Sequence, residues 1–128
     1  MKTIVIAGGS GLLGINASKY LKKYFHVYST YNTNGSYPSI NNLNINLLDY
    51  DKLLQTIKKI KPDYIFNFAG LTNVEFCEKN QKISELLNIE ISKNLSVVSQ
   101  SLKIKFIHMS TDHLFHDALI VHNEEDET

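Results

Sequence analysis

The chain predicts an α/β fold built on a doubly wound parallel sheet, and three observations point to it. Short apolar runs alternate with stretches of helical periodicity along the 128 residues. The first run, Thr3-Ile4-Val5-Ile6, leads straight into Ala7-Gly8-Gly9-Ser10-Gly11-Leu12-Leu13-Gly14. A later run, Tyr64-Ile65-Phe66-Asn67-Phe68, is nearly all apolar, as a strand buried on both faces of a parallel sheet should be.

Residues 2 to 7 are expected to form the first strand. Leu13, Ala17, Tyr20, Leu21 and Tyr24 recur at helical spacing and predict the buried stripe of the first helix. Residues 26 to 31, His-Val-Tyr-Ser-Thr-Tyr, alternate and are rich in β formers, so they predict strand two. The polar segment 32 to 42, with its Asn residues, Gly35 and Pro38, is a loop. Leu43-Asn44-Ile45-Asn46 predicts a brief third strand. Asp49 or Asp51 can cap a helix whose inner face is Leu53, Ile57 and Ile60, and Pro62 ends it. Strand four is residues 64 to 68. A long helix over 82 to 101 carries Ile83, Leu87, Ile91, Leu95 and Val98, with Leu102 just beyond it, and residues 104 to 109 predict strand five. The acidic tail from His122 to Thr128 has no periodicity and reads as a solvated terminus.

Gly8, Gly11 and Gly14 stand where strand one would give way to helix one. A Cβ there would obstruct the turn, an approaching pyrophosphate, or the packing of helix on strand. The N–H groups at the start of the helix would face that anion. This placement predicts a dinucleotide site in the crevice beyond the carboxyl ends of the strands.

Composition narrows the partners. Lysines and arginines number 13 and acidic residues 13, so the formal charge is zero. That balance predicts neither a nucleic-acid nor an anionic-membrane partner, and any phosphate must be held locally. Cys77 is the only cysteine, which excludes an internal disulfide and suits a reducing cytoplasm. The expected localisation is cytoplasmic: the chain enters a core strand at once without a leader, and no apolar run is long enough to span a membrane.

Several motifs along the chain resemble those of one family. They are the glycine turn at 8 to 14 and Asn46-Leu47-Leu48-Asp49 after strand three. Then come Lys61-Pro62-Asp63 leading to Asn67-Phe68-Ala69-Gly70-Leu71-Thr72-Asn73-Val74, followed by Cys77-Glu78 and Asn88. Met109-Ser110-Thr111-Asp112-His113-Leu114-Phe115 and the acidic tail complete the set. Together they resemble the extended short-chain dehydrogenase/reductases, in particular the dTDP-4-dehydrorhamnose reductase family, over its N-terminal part. The resemblance implies a Rossmann domain spanning 1–128 that binds NAD(P)H, in a protein that reduces a 4-keto-deoxysugar carried on a nucleotide. It implies that Gly8, Gly11, Leu12, Leu13 and Gly14 hold the pyrophosphate turn, with Asn46 and Leu47 near the adenine. Tyr28 and Tyr31, at the end of strand two, are open to either of two roles, stacking on the adenine or serving as ordinary strand aromatics. Ala69, Gly70, Leu71, Thr72 and Met109 would line the ribose and nicotinamide side. Thr111 matches the catalytic Thr/Ser, and Thr111 and Asp112 would meet the nucleotide-sugar substrate.

One departure stands out. The family passes a proton from a Tyr whose pKa is lowered by a Lys four residues on. None of the seven tyrosines has Lys at that spacing, and the resemblance would put the pair just after Thr128. The sugar-binding lobe would follow as well, so this chain alone is expected to turn over little or no substrate. With later strands missing, an exposed sheet edge would favour a homo-oligomer.

The end of strand two, Thr30-Tyr31-Asn32, offers neither a carboxylate for a ribose 2′-OH nor a base for a 2′-phosphate. NAD and NADP both stay open, with NADP favoured because no carboxylate repels the phosphate. His113, His116 and His122 with Asp112 and Asp117 fit no metal-ligand spacing, and Cys77 reads as a small packed side chain. Two other readings share the fold: a binding or regulatory module without turnover, and a nucleotide-sugar epimerase or dehydratase.

Overall fold

The computed structural model describes residues 1–33, 40–111, 123 and 125. Its strands are β1 (Thr3–Ala7), β2 (His26–Tyr31), β3 (Asn41–Asn44), β4 (Tyr64–Asn67) and β5 (Lys105–His108). Its helices are α1 (Leu12–Leu21), α2 (Tyr50–Ile60), α3 (Val74–Lys79), α4 (Gln81–Glu85) and α5 (Ile91–Ser101). A π-helical turn, Leu86–Glu90, joins α4 to α5. The sheet order is β3-β2-β1-β4-β5 and every pairing is parallel. The predicted doubly wound sheet is therefore present, with β1 in its middle.

Alternation along β1 divides the core into two layers. Val5 and Ala7 face α2 and α5, packing with Leu53, Ile57, Ile91, Leu95 and Val98. Ile4 and Ile6 face the other way, with Val27, Ala17, Leu21 and Phe25. Burying a side chain of this size contributes about 1.5–3 kcal/mol, so these two layers hold helices on both faces of the sheet. The Asp49 side chain accepts from the Lys52 N–H at 3.1 Å and caps α2, as expected. Lys61, in the left-handed region at φ 52°, closes that helix just before Pro62.

Four details differ from the sequence expectation. Helix α1 buries Gly14 and Ser18, with Ala17 and Leu21 partly covered, while Leu13, Tyr20 and Tyr24 are exposed. Small residues form its seat because the helix lies too close to the strands for large ones. Strand β3 pairs two residues earlier than expected, where Asn41–Asn44 meet Tyr28–Tyr31. A separate short helix, α3, precedes the long one, and Asn73 caps it by accepting from the Phe76 N–H at 2.8 Å. Ile83 is exposed on α4 and does not join the buried stripe. Strands β3 and β5 are the edges, and on β5 Ile107 is exposed. No helix among the described residues is long and apolar enough to cross a membrane.

Candidate functional site

The carboxyl ends of β1, β2, β4 and β5 converge on one groove, and the glycine turn shapes its floor. Gly8 has φ +78°, and a Cβ there would lie 2.6 Å from the Ala69 nitrogen. A Cβ on Gly14 would run into the Gly8 carbonyl oxygen. These two glycines let the turn, β4 and α1 come together. Gly11 is different: its Cβ would meet only the Gly8 oxygen, at 3.4 Å, so the space beside it is open. The Gly8 N–H donates to Thr30 Oγ1 at 3.2 Å and the Gly9 N–H to the Thr30 carbonyl at 2.9 Å, which ties the turn to β2.

Helix α1 begins at Gly11 with no side-chain cap and no acidic residue in its first turn. Its leading end thus keeps the partial positive charge of unsatisfied N–H groups. Leu12 is 84% exposed beside it.

On one side of this helix end lies a cleft of about 570 Å³ lined by Leu12, Leu13, Leu71, Thr72, Met109 and Thr111, among others. On the other side a groove of about 310 Å³ runs past Gly8, Tyr31, Asn46 and Leu47. Gly11, Phe68, Ala69 and Gly70 line both, so the two form one continuous trough. The trough brings together every sequence-nominated position within the described residues. Asp112 lies outside them, as do His113, His116, His122 and Asp117. Among the described residues, none lining either part is Lys, Arg, Asp or Glu. Leu47 is 7% exposed and packs mainly into the core, with the Asn94 side chain donating to its carbonyl at 3.1 Å.

Two asparagines position the loop after β4. Asn88 sits in the π-helical turn, where its Oδ1 accepts from the Leu71 N–H at 2.6 Å and its Nδ2 donates to the Leu71 carbonyl at 3.3 Å. A π turn widens the helix locally and is often found at functional sites. Asn67 is fully buried, and its Oδ1 accepts from the Ala69 N–H at 3.0 Å. Neither Asn67 nor His108 is among the site residues that the sequence points to. A polar residue ending an apolar central strand was the available signal for Asn67. Cys77 is half-buried, with Sγ 4.0 Å from the Leu71 carbonyl.

Residues 1–128 match the family described as RmlD substrate binding domain. The chain belongs to that family. It is 26% identical over 111 residues to a probable low-salt glycan biosynthesis reductase of Haloferax volcanii, covering 86% of this chain and 37% of the relative. A dTDP-4-dehydrorhamnose reductase of Escherichia coli is 34% identical over 61 residues, 48% of this chain and 20% of that protein. Among solved structures, a hypothetical dTDP-4-dehydrorhamnose reductase from Sulfolobus tokodaii superposes with a TM-score of 0.86 at 30% identity, over 98% of this chain and 45% of that one. A Bacillus anthracis dTDP-4-dehydrorhamnose reductase in complex with NADP shares the fold, with a TM-score of 0.75 at 22% identity, over 90% of this chain and 38% of that one. The chain thus spans less than half the length of these proteins.

Proposed function

We propose that this chain is the nicotinamide-dinucleotide-binding part of a reductase acting on a 4-keto-deoxysugar attached to a nucleotide. The observation that supports the reading best is the trough around the uncapped end of α1, whose described lining residues include no Lys, Arg, Asp or Glu. A diphosphate would take its hydrogen bonds from the N–H groups of Leu12 and Leu13 and fill the open space at Gly11. Tyr31 and Asn46 would flank an adenine, and Leu71, Thr72 and Met109 would border the nicotinamide. The Bacillus anthracis reductase structure in complex with NADP agrees with a cofactor of this class. Thr30 is buried and its hydroxyl accepts from Gly8, so β2 ends without a carboxylate to repel a 2′-phosphate. That favours NADP over NAD.

Bound in this way, the cofactor supplies hydride. Thr111 would hydrogen-bond the substrate's keto oxygen and hold the carbonyl for attack, with Asp112 beside the sugar. The proton donor expected of such a reaction, a Tyr with Lys four residues later, is not in these 128 residues. General acid catalysis is typically worth about 10²–10⁴-fold, so this chain by itself should bind cofactor without appreciable turnover. Titration of NADPH with the chain, followed by nicotinamide fluorescence, checks the proposal. Saturable enhancement is expected, stronger for NADPH than for NADH. No enhancement up to about 1 mM, the upper end of ordinary enzyme affinities, would contradict it.

A further inference from the structure

The end of β4 holds a hydrogen-bond network that dictates where one proton sits. Asn67 and His108 are register partners on adjacent strands, and Asn67 Nδ2 lies 3.0 Å from His108 Nδ1. The same Nδ2 donates to Ser92 Oγ at 3.1 Å. Two facts fix the orientation of the Asn67 amide. Its Oδ1 faces the Ala69 N–H, which can only donate. Its other neighbour, Ser92, spends its hydroxyl proton on the Asn88 carbonyl at 2.9 Å and so offers only lone pairs to Asn67. Rotating the amide would set N–H against N–H at Ala69. The nitrogen therefore faces His108, and His108 Nδ1 has to accept.

We propose that Asn67 is a positioning residue that holds His108 as the neutral tautomer with its proton on Nε2. His108 then presents an N–H donor, not a base, to the cleft it lines beside Met109, Ser110 and Thr111. The ring is further held by stacking on Phe106, with centroids 6.2 Å apart and planes at 17°. Resting on the cofactor reading above, the donor's partner is an oxygen at the nicotinamide end of the bound dinucleotide. The proton placement itself depends only on the network of Asn67, Ala69, Ser92, Asn88 and His108.

Nitrogen-15 spectroscopy of the chain at about pH 8, above the ordinary histidine range, reads the proton directly. The expected result is a protonated Nε2, an unprotonated Nδ1, and a scalar coupling across the Asn67 Nδ2–H···Nδ1 bond. Asn67→Asp exchanges the donor for an acceptor and should move the proton to Nδ1. A missing coupling in the unmodified chain, or a proton already on Nδ1, would overturn the proposal whether or not the variant folds. So would a His108 spectrum unchanged by Asn67→Asp.

For the cleft-facing donor, His108→Gln can accept from Asn67 and still donate outward, so NADPH affinity should stay within about twofold. His108→Leu should weaken it about three- to tenfold, the span of one ordinary hydrogen bond. Equal affinity in both variants would remove the donor role. Failure of the unmodified chain to bind NADPH would instead sink the cofactor reading, while the tautomer result would stand by itself.

Discussion

The two ends of the sheet carry clefts of almost equal size and opposite character. At the carboxyl end, about 570 Å³ is lined by glycines, apolar groups and uncharged polar ones. At the amino end, about 580 Å³ is lined by Lys2, Lys58, Lys61, Lys103 and Lys105 around Asp63 and Tyr64. Counting positive side chains would send a phosphate to the lysines. Helix polarity sends it the other way. The lysine-rich cleft receives the carboxyl ends of α2 and α5, where Lys61 and Lys103 occupy left-handed positions at φ 52° and 55°. Those ammonium groups offset the negative ends of two helices. The glycine end receives the positive end of α1, with no side chain in the way. The proposed anion site is one of backbone N–H groups and absent side chains.

The largest expected effect comes from closing the glycine turn. Gly14→Val forces a side chain into the Gly8 carbonyl and should lower unfolding stability by about 2–3 kcal/mol in a denaturant titration, with loss of NADPH binding. Gly11→Ala separates binding from folding. Its backbone, at φ −78°, tolerates alanine, and the new methyl would meet nothing nearer than 3.4 Å. Melting should therefore change little while NADPH affinity falls about tenfold or more, because the methyl takes space assigned to the diphosphate. Unchanged affinity would mean that this space is not where the cofactor lies.

Changes at the other end sharpen the contrast from below. Lys61→Gly relieves a left-handed lysine while removing a charge from a helix end, so the two effects oppose. Stability should move by less than about 1 kcal/mol and NADPH affinity by less than twofold. Smallest of all is the contribution of Lys2. Its ammonium donates to Tyr64 Oη at 3.2 Å, and this hydrogen bond, helped by the tyrosine's charge, raises its pKa above the ordinary 10.5. A raised folded-state value stabilises the protein fully below the unfolded pKa, and the gain is lost as pH climbs through the folded one. Tyr64→Phe should thus slightly lower the melting temperature at neutral pH, where the gain is fully present, and leave it almost unchanged at strongly alkaline pH, where the gain is already lost.

The same contrast explains what was legible in the sequence. The spacing of Gly8, Gly11 and Gly14 after a short apolar strand pointed to the proposed site, because Gly8 and Gly14 answer to local steric demands, while Gly11 leaves open space beside the helix end. The alternation of runs was enough to indicate a doubly wound parallel sheet, and the fold puts β1 at its centre. Helix α1 was misread for a related reason. Its inner face is Gly14, Ala17 and Ser18, and a search for large apolar residues sees Tyr20 and Tyr24 instead, which are exposed. Close approach of helix to sheet requires small residues, and Gly14, Ala17 and Ser18 keep helical spacing without the large apolar side chains that make a stripe stand out. The polar strand Asn41–Asn44 was placed late because only Leu43 in it is apolar. The network of Asn67, Ser92, Asn88 and His108 joins residues as much as 41 positions apart, a relation that only the folded register supplies.

A crystal of this chain soaked with NADPH puts the central claim to the most direct test. The diphosphate should lie within hydrogen-bonding reach of the Leu12 and Leu13 N–H groups, with the space beside Gly11 filled and the lysines at the amino end free of ligand. A diphosphate seated instead among Lys58, Lys61 and Lys103 would contradict the account.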